Sequence, residues 1–215
     1  MPYPRIHRML PGLFGICLCT LLLNGCSLIF PPRIDTYALH VDPLTGSEID
    51  SSFTGTIWLR EFDIVDEFNT NRFVYRDSNT QHIHASKHFE WPGMASDAAG
   101  DLAFRYLSQR FAGHVQLSIT PPADYIIEGR VEDMSIDRNG TKAPQTVSFE
   151  LYYEIEQKSG QSYSHSLAVR DTAIVKVAGQ KKENVANAMA LAIQTVARRI
   201  GDHLLAVSEA RTRRK

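Results

Sequence analysis

The stretch TVSFELYYEIEQ, residues 146–157, alternates apolar and polar side chains more strictly than any other part of the chain. Its apolar side chains occupy every second position, and polar side chains and one tyrosine lie between them: Val147, Phe149, Leu151, Tyr153 and Ile155 against Ser148, Glu150, Tyr152, Glu154 and Glu156. A period of two predicts a β-strand with one buried face. The turn sequence KSGQS and a second strand-like run, YSHSLAVRDTAIV, come next, so an antiparallel hairpin is expected.

Strand-like runs also precede this hairpin along the chain. The two strands of the hairpin and one strand before it are expected between residues 124 and 177, and a short strand, VQLSI, precedes all three. Towards the N-terminus the patterns predict four more strands: TYALHV (36–41), TGTIWLREFDIV (54–65), and a hairpin of RFVYRDS (72–78) and HIHASKHFEW (82–91). In the last of these, alternation places Ile83, Ala85, Phe89 and Trp91 on one face and His82, His84, Ser86, His88 and Glu90 on the other.

Two segments have helical spacing instead. The first begins at Ser96, which we expect as the N-cap, and ends before Gly113. The second runs from about Lys182 to Val207 with an apolar stripe on one side and Arg198 and Arg199 on the other. The element order β-β-β-β-α-β-β-β-β-α predicts an α/β fold in which a mixed, largely antiparallel sheet is packed by two main helices in a single domain.

The N-terminus predicts export and lipid attachment. Arg5, His7 and Arg8 precede an apolar run of signal-peptide length, which ends at Leu23-Asn24-Gly25-Cys26. This tetrapeptide resembles the bacterial lipobox, in which the cysteine sulfur receives a diacylglycerol and the preceding peptide is removed. We therefore expect a signal peptide (1–25), a lipidated tether (26–35), an α/β domain (36–208) and a basic tail (209–215). Ser27 after the cysteine favours sorting to the outer membrane, on its periplasmic face.

The cysteine count and the charge narrow the function classes. Cys17 and Cys19 would leave with the signal peptide and Cys26 would become a thioether, so no disulfide or thiolate site is expected. Removing 25 of the 215 residues, with two of the 23 basic side chains and none of the 24 acidic ones, leaves 190 residues with a formal net charge of −3. This balance and the export signal argue against a nucleic-acid partner.

Histidines are the remaining candidates for chemistry. His82, His84 and His88 on one strand face allow a metal site, but a polar, solvated strand face explains the pattern better. His165 stands between two serines without a nucleophile elbow, so a lipoprotein esterase is an alternative without a motif to support it. Phosphate loops, dinucleotide fingerprints and metalloprotease motifs do not occur in the sequence, and it predicts no cofactor, no metal and no catalytic residue.

Several stretches, taken in order, resemble the ABC-type transport auxiliary lipoprotein family, which includes the lipoprotein of the paraquat-inducible intermembrane system. The lipobox is followed by TYAL, then TIWLREFDIVD, RFVYRDS with HFEWPGM, and ADYIIEGRVEDMSID, and the chain ends in an alanine-rich amphipathic helix. The opening of that helix, KKENVANAM, differs from the Ala-Ala or Ala-His common in the family.

The resemblance implies a protein without enzymatic activity that docks a periplasmic partner. Members assist ABC transporters with MCE-domain proteins, which move lipids or other hydrophobic compounds between the two membranes. The expected partners are therefore outer-membrane lipid, through acylated Cys26, and an MCE-domain protein. Tyr75 and Arg76 are candidates for the partner contact. Homo-oligomer formation stays open, and an assembly cofactor of an outer-membrane barrel is a further alternative.

Overall fold

A computed structural model of the chain describes residues 33–45, 48–50, 52–116, 123–138, 146–179 and 181–213. Residues 35–215 belong to one compact unit. Its described part contains one nine-stranded sheet, two α-helices and a 3-10 turn at Asp66–Phe68. The strands are β1 (Asp35–Thr36), β2 (Ile57–Leu59), β3 (Asp63–Ile64), β4 (Arg72–Asp77), β5 (Ile83–Glu90), β6 (Val115–Gln116), β7 (Tyr125–Arg138), β8 (Thr146–Ser159) and β9 (Ser162–Lys176); the helices are α1 (Ala95–Arg110) and α2 (Lys182–Thr212).

Strand β7 organises the sheet. Along one edge it pairs in parallel with β2, β3 and β4 in turn, and along the other it pairs antiparallel with β8 over nearly its whole length. Strand β9 continues the meander beside β8, and among the described strands it pairs with β8 alone. On the far side, β5 pairs antiparallel with β4, and the short β1 adds in parallel to β5. The long ladders are antiparallel and the short ones mostly parallel, so the predicted fold class is confirmed.

The alternation in β8 is confirmed residue by residue. All five apolar positions face the helices and are at most 1% exposed. The polar positions between them point to the opposite side and are mostly half-buried. Helices α1 and α2 cover the side of the sheet on which these apolar residues lie. The apolar stripe of α2 packs on β8 and β9, and the buried side chains of α1 belong to the same core. We call the helix-covered side the inner face and the other side the outer face.

A glycine brings the β2–β3 segment against β7. A side chain at Gly129 would place its Cβ 2.9 Å from two carbons of the Phe62 ring and 3.2 Å from a Leu151 methyl. Phe62, which is 5% exposed, therefore packs directly on the β7 backbone. The predicted strand 54–65 is accordingly wrong as a single strand, since it divides into β2 and β3 around this contact. The predicted strand 36–41 is also shorter, because only Asp35–Thr36 pairs.

The β4–β5 hairpin forms as predicted, but its facing residues differ. The ladder joins Arg72 to Glu90 and Val74 to Ala85, so five steps on β5 accompany two on β4. Within this bulge the Ser86 hydroxyl accepts hydrogen bonds from the backbone N–H groups of His88 and Phe89. Ser86 is consequently buried and Ala85 exposed, so their predicted positions were wrong.

The helix ends differ from the predictions as well. Helix α1 begins at Ala95 with Met94 in the cap position and no side-chain cap, so the predicted N-cap at Ser96 is wrong. Gly113 follows the helix with a φ of +86°, which fits its predicted role as the stop. Helix α2 continues to Thr212, five residues beyond the predicted end and into the predicted basic tail.

Candidate functional site

The outer side of β8 and β9 presents a row of polar and charged side chains. Cross-strand pairs on this face join Glu150 to Thr172, Tyr152 to Arg170 and Ser148 to Ile174. Because side chains of a strand alternate, these six residues stand on the face that the helices leave uncovered. Ile174 is 68% exposed, the most exposed of the large apolar side chains that the structure describes. We call this set the outer β8–β9 surface.

Ion pairs hold Arg170 of this surface and the neighbouring Arg130 of β7 in place. Glu132 of β7 accepts a hydrogen bond from Arg130 at 3.0 Å, and its second oxygen lies 2.7 Å from Arg170 Nε. Arg170 is also 3.5 Å from Glu150, which accepts a hydrogen bond from the Thr172 hydroxyl. The hydrogen bond from Arg130, with the nearby charge of Arg170, lowers the pKa of Glu132. Two arginines are thereby held side by side over the sheet.

A second set of contacts continues the surface towards the start of β9. The Tyr152 hydroxyl donates to Glu154, and this bond raises the pKa of Tyr152. His165 Nδ1 lies 3.4 Å from the other oxygen of the same carboxylate. Beside these side chains lies an open groove of about 470 Å³, lined by Asp63, Glu128, Gly129, Arg130, Glu132, Tyr152, Glu154 and Arg170. Four carboxylates and two arginines thus line this groove.

Arg76 lies on the outer face of β4. Its guanidinium donates to both oxygens of Asp133, at 2.9 and 3.0 Å, and lies 4.0 Å from Asp137. Burial lowers the pKa of Arg76, but the hydrogen bond and charge of Asp133 outweigh this effect and raise it. The 3-10 turn places the Phe68 ring 5.9 Å from the same guanidinium. Arg76 is thus fixed in a bidentate ion pair.

Tyr75 points to the inner face instead. It is 2% exposed, and its strand partner is Ile136, which belongs to the core. The two residues predicted to contact a partner are therefore on opposite faces of the sheet, as period-two alternation requires. Partner contact through them stays a prediction, and the two side chains would contribute to different surfaces.

The three histidines in and next to β5, His82, His84 and His88, do not gather into one cluster. The rings of His82 and His84 stack with centroids 6.2 Å apart, and His84 also stacks on Tyr75 at 5.6 Å. The β5 bulge separates His88 from this pair. Among the described residues, no group of three or more histidine, cysteine, aspartate or glutamate side chains is placed to hold a metal ion.

His165, the histidine of the esterase alternative, lies on the outer side of β9 with its side chain 52% exposed. The hydroxyls of the flanking serines Ser164 and Ser166 donate to backbone carbonyls at 3.4 Å. The described contact of His165 is thus with Glu154.

A polar cluster around the buried Tyr153 on the inner face was not predicted from the sequence. The Tyr153 hydroxyl donates to Asp171 at 2.8 Å and lies 2.6 Å from His203 Nδ1 on α2. Arg199 lies 3.3 Å from the other oxygen of Asp171. Burial raises the pKa of Tyr153, and the Asp171 carboxylate reinforces the effect. One residue of the sequence could have indicated this cluster: Asp171 is charged, yet it alternates in step with the apolar side chains of β9 that face inward.

The predicted lipidation site, Cys26, lies outside the described residues, and its acylation stays a prediction. No helix in the described ranges is both long and apolar enough to cross a membrane. The described chain joins the sheet at β1, where Asp35 and Thr36 stand opposite Phe89 and Glu90.

Comparison with known proteins gives the fold. The sequence matches no protein-family model and no curated protein. Among solved structures, a protein of Xanthomonas campestris described as belonging to family DUF330 is similar with a TM-score of 0.68 and 15% identity, over 83% of this chain and 99% of that one. An uncharacterized protein is similar with a TM-score of 0.63 and 11% identity, over 80% and 99%. The chain therefore shares the fold of a DUF330 protein.

Proposed function

We propose that this protein is an outer-membrane-anchored periplasmic lipoprotein that serves as an auxiliary component of an ABC/MCE-type intermembrane transport system for lipids or other hydrophobic compounds. Its role is to dock the MCE-domain partner rather than to catalyse a reaction. The lipobox-like sequence at Cys26 and the order of the family-like strands support this reading, and the shared DUF330 fold is compatible with it.

The observation that carries the proposal is the uncovered outer β8–β9 surface. Both helices pack on the inner face, whereas the outer face carries fixed arginines, Tyr152 and the exposed Ile174. Arginine and tyrosine are enriched in protein–protein interfaces, and an exposed apolar side chain among them supplies area to bury. Among the described strands β9 pairs with β8 alone, so its other edge, beside this surface, allows strand addition by a partner.

A pull-down from detergent-solubilised envelope tests the docking role. The full-length protein should capture an MCE-domain protein identified by mass, and Arg170→Glu with Ile174→Asp should lose that capture. The matched control, Ala206→Asp on an exposed position of α2 with Arg213→Glu at the exposed residue that follows the helix, makes the same charge changes and should retain it. Melting temperatures of both variants establish that they are folded.

The outcomes separate the alternatives. Capture of an outer-membrane barrel instead of an MCE-domain protein would favour an assembly cofactor. Hydrolysis of lipid esters that disappears in His165→Ala would favour the esterase. Lipid attachment is tested on its own: a palmitate analogue should label the protein, and Cys26→Ala should abolish the label and leave the precursor uncleaved.

A further inference from the structure

Cationic side chains gather around the Tyr75 ring at the inner end of the β4–β5 hairpin. The Arg138 guanidinium lies 3.6 Å from the ring centroid, and Lys182 Nζ donates to the Tyr75 hydroxyl at 3.3 Å. Lys182 is also 4.7 Å from the centroid of Phe89, and His84 stacks on Tyr75. We call Arg138, Lys182, Tyr75, His84 and Phe89 the basic cluster. Aromatic faces hold cations by electrostatic attraction, so the two charges are positioned without a carboxylate.

The two permanent cations of the basic cluster lack anionic partners in the described part of the chain. Neither Arg138 nor Lys182 has a carboxylate at ion-pairing distance there, and Arg138 Nε is buried without a hydrogen-bond acceptor. This contrasts with Arg76, Arg170 and Arg199, each of which reaches a carboxylate. Half-buried charges without a partner are unfavourable, and an anionic ligand would relieve this.

Two acidic residues lie near the cluster, but neither of them neutralises its positive charge. Asp77, at the end of β4, accepts hydrogen bonds from the backbone N–H groups of Asn79 and Thr80 in the hairpin turn, at 2.8 and 3.0 Å. Glu183, next to Lys182, is exposed. Neither carboxylate makes an ion pair with the cluster, so both of its cations are available to an external anion.

The cluster lies beside the point where the chain leaves for the predicted anchor. Phe89, whose ring contacts Lys182, stands opposite Asp35 in the ladder between β1 and β5. Asp35 is nine positions after Cys26, and a fully extended chain of that length spans at most about 30 Å. The anchoring membrane is therefore the nearest source of phosphate groups in the proposed setting.

We propose that the basic cluster binds the phosphate of an anionic glycerophospholipid headgroup in the membrane that holds the lipid anchor. Arg138 and Lys182 contact the phosphate oxygens, and the rings of His84 and Phe89 border the glycerol, while Tyr75 stays buried beneath the two cations. This inference rests on the proposed lipid anchoring and adds to it a second attachment through the folded domain. One acyl-linked residue and a headgroup contact together would fix the orientation of the domain on the membrane.

Isothermal titration of the full-length lipidated protein in non-ionic detergent tests this site. The probe is dihexanoyl phosphatidylglycerol, with the heat of its addition to detergent alone subtracted. Each cation near an anionic lipid contributes roughly a fivefold gain in affinity, so Arg138→Gln with Lys182→Gln should weaken binding about 25-fold. Lys182→Gln alone should weaken it about fivefold, and it preserves the test if the double variant does not fold. The matched control, Lys158→Gln with Arg213→Gln, removes two cations elsewhere and should bind like the wild type.

Two results would overturn the assignment. Equal binding by the wild type and a folded double variant would show that the cluster does not hold the headgroup. Inorganic phosphate that binds as tightly as the lipid would point to a soluble phosphate ligand. Palmitate labelling distinguishes these failures from failure of the anchor, because labelling depends on Cys26 and headgroup binding on Arg138 and Lys182.

Discussion

The two faces of strand β8 differ in what their side chains do. The residues that face the helices, such as Phe149 and Tyr153, are fully buried and belong to the core. Their neighbours Glu150 and Tyr152 lie on the outer face in ion pairs and hydrogen bonds that solvent reaches. Apolar burial contributes most of the stability of a domain, and exposed ion pairs contribute little. The inner face therefore maintains the fold, and the outer face can carry contacts to a partner at small cost in stability.

The sharpest test of this comparison substitutes consecutive residues. Phe149→Ala should lower the free energy of unfolding by about 3–5 kcal/mol, because it leaves a cavity between the sheet and the helices. Glu150→Ala should change it by less than about 1 kcal/mol, since it loses only partly exposed contacts. Urea unfolding followed by circular dichroism measures both. Similar losses in the two variants would show that the outer face is as structural as the inner one.

A second test concerns the polar cluster within the inner face. Tyr153→Phe should lower the free energy of unfolding by about 2–3 kcal/mol, because Asp171 and His203 each lose a buried partner. Tyr152→Phe is the matched control one residue away, where the hydroxyl bonds to a half-exposed carboxylate, and should cost less than about 1 kcal/mol. If the control proved the more damaging, the buried cluster would not be stabilising the inner face.

The third test addresses an outer-face pair that is partly buried. Arg76→Gln should lower the free energy of unfolding by about 1–2 kcal/mol, between the values for exposed and fully buried ion pairs. It leaves Asp133 and Asp137 near each other without their shared cation. Arg130→Gln is the control and should have almost no effect, since the Arg130 side chain is 55% exposed. Thermal unfolding of both variants in parallel would reveal a reversed order.

The smallest effect is expected at Asp137, and it depends on pH. Burial raises the pKa of this carboxyl, with Arg76 opposing and Asp133 reinforcing the effect. The folded state then binds the proton more tightly than the unfolded state, so stability falls as pH rises from about 4 through the folded pKa. Asp137→Asn should gain a few tenths of a kcal/mol at pH 7 and nothing near pH 3. A gain of the same size at both pH values would assign it to packing instead of charge.

The predictability of the fold follows the length and burial of its elements. Strand β8 could be predicted to within two residues of its end, because its long alternation over one buried face leaves a single register for the hydrophobic pattern. Strand β5 could be predicted as a strand, but its bulge at Ser86 interrupts the alternation. The β2–β3 break depends on Gly129 and Phe62, two residues that are 67 positions apart in sequence. Contacts of this kind have no local signal.

The candidate site was less predictable than the fold. Adjacent residues in a strand face opposite sides of the sheet, so the sequence alone could have assigned Tyr75 and Arg76 to different faces. The partners of Tyr153, by contrast, come from β9 and α2, 18 and 50 residues away. The basic cluster likewise joins β4, β5, β7 and α2. Strand pairing and the packing of α2 on the sheet together bring these side chains into contact.

Because β9 pairs with β8 alone among the strands that the structure describes, its backbone has two kinds of amide. Along an antiparallel edge strand, alternate N–H groups bond to the neighbouring strand and the others face water. Along the fifteen residues of β9, amide hydrogens that bond to β8 should therefore exchange slowly for deuterium, and the amide hydrogens between them should exchange fast. A partner that adds its own strand would slow the exchange of the fast amides, whereas a partner that contacts side chains alone would leave the alternation of exchange rates unchanged. Amide exchange along β9 would therefore distinguish docking by strand addition from docking by side-chain contacts.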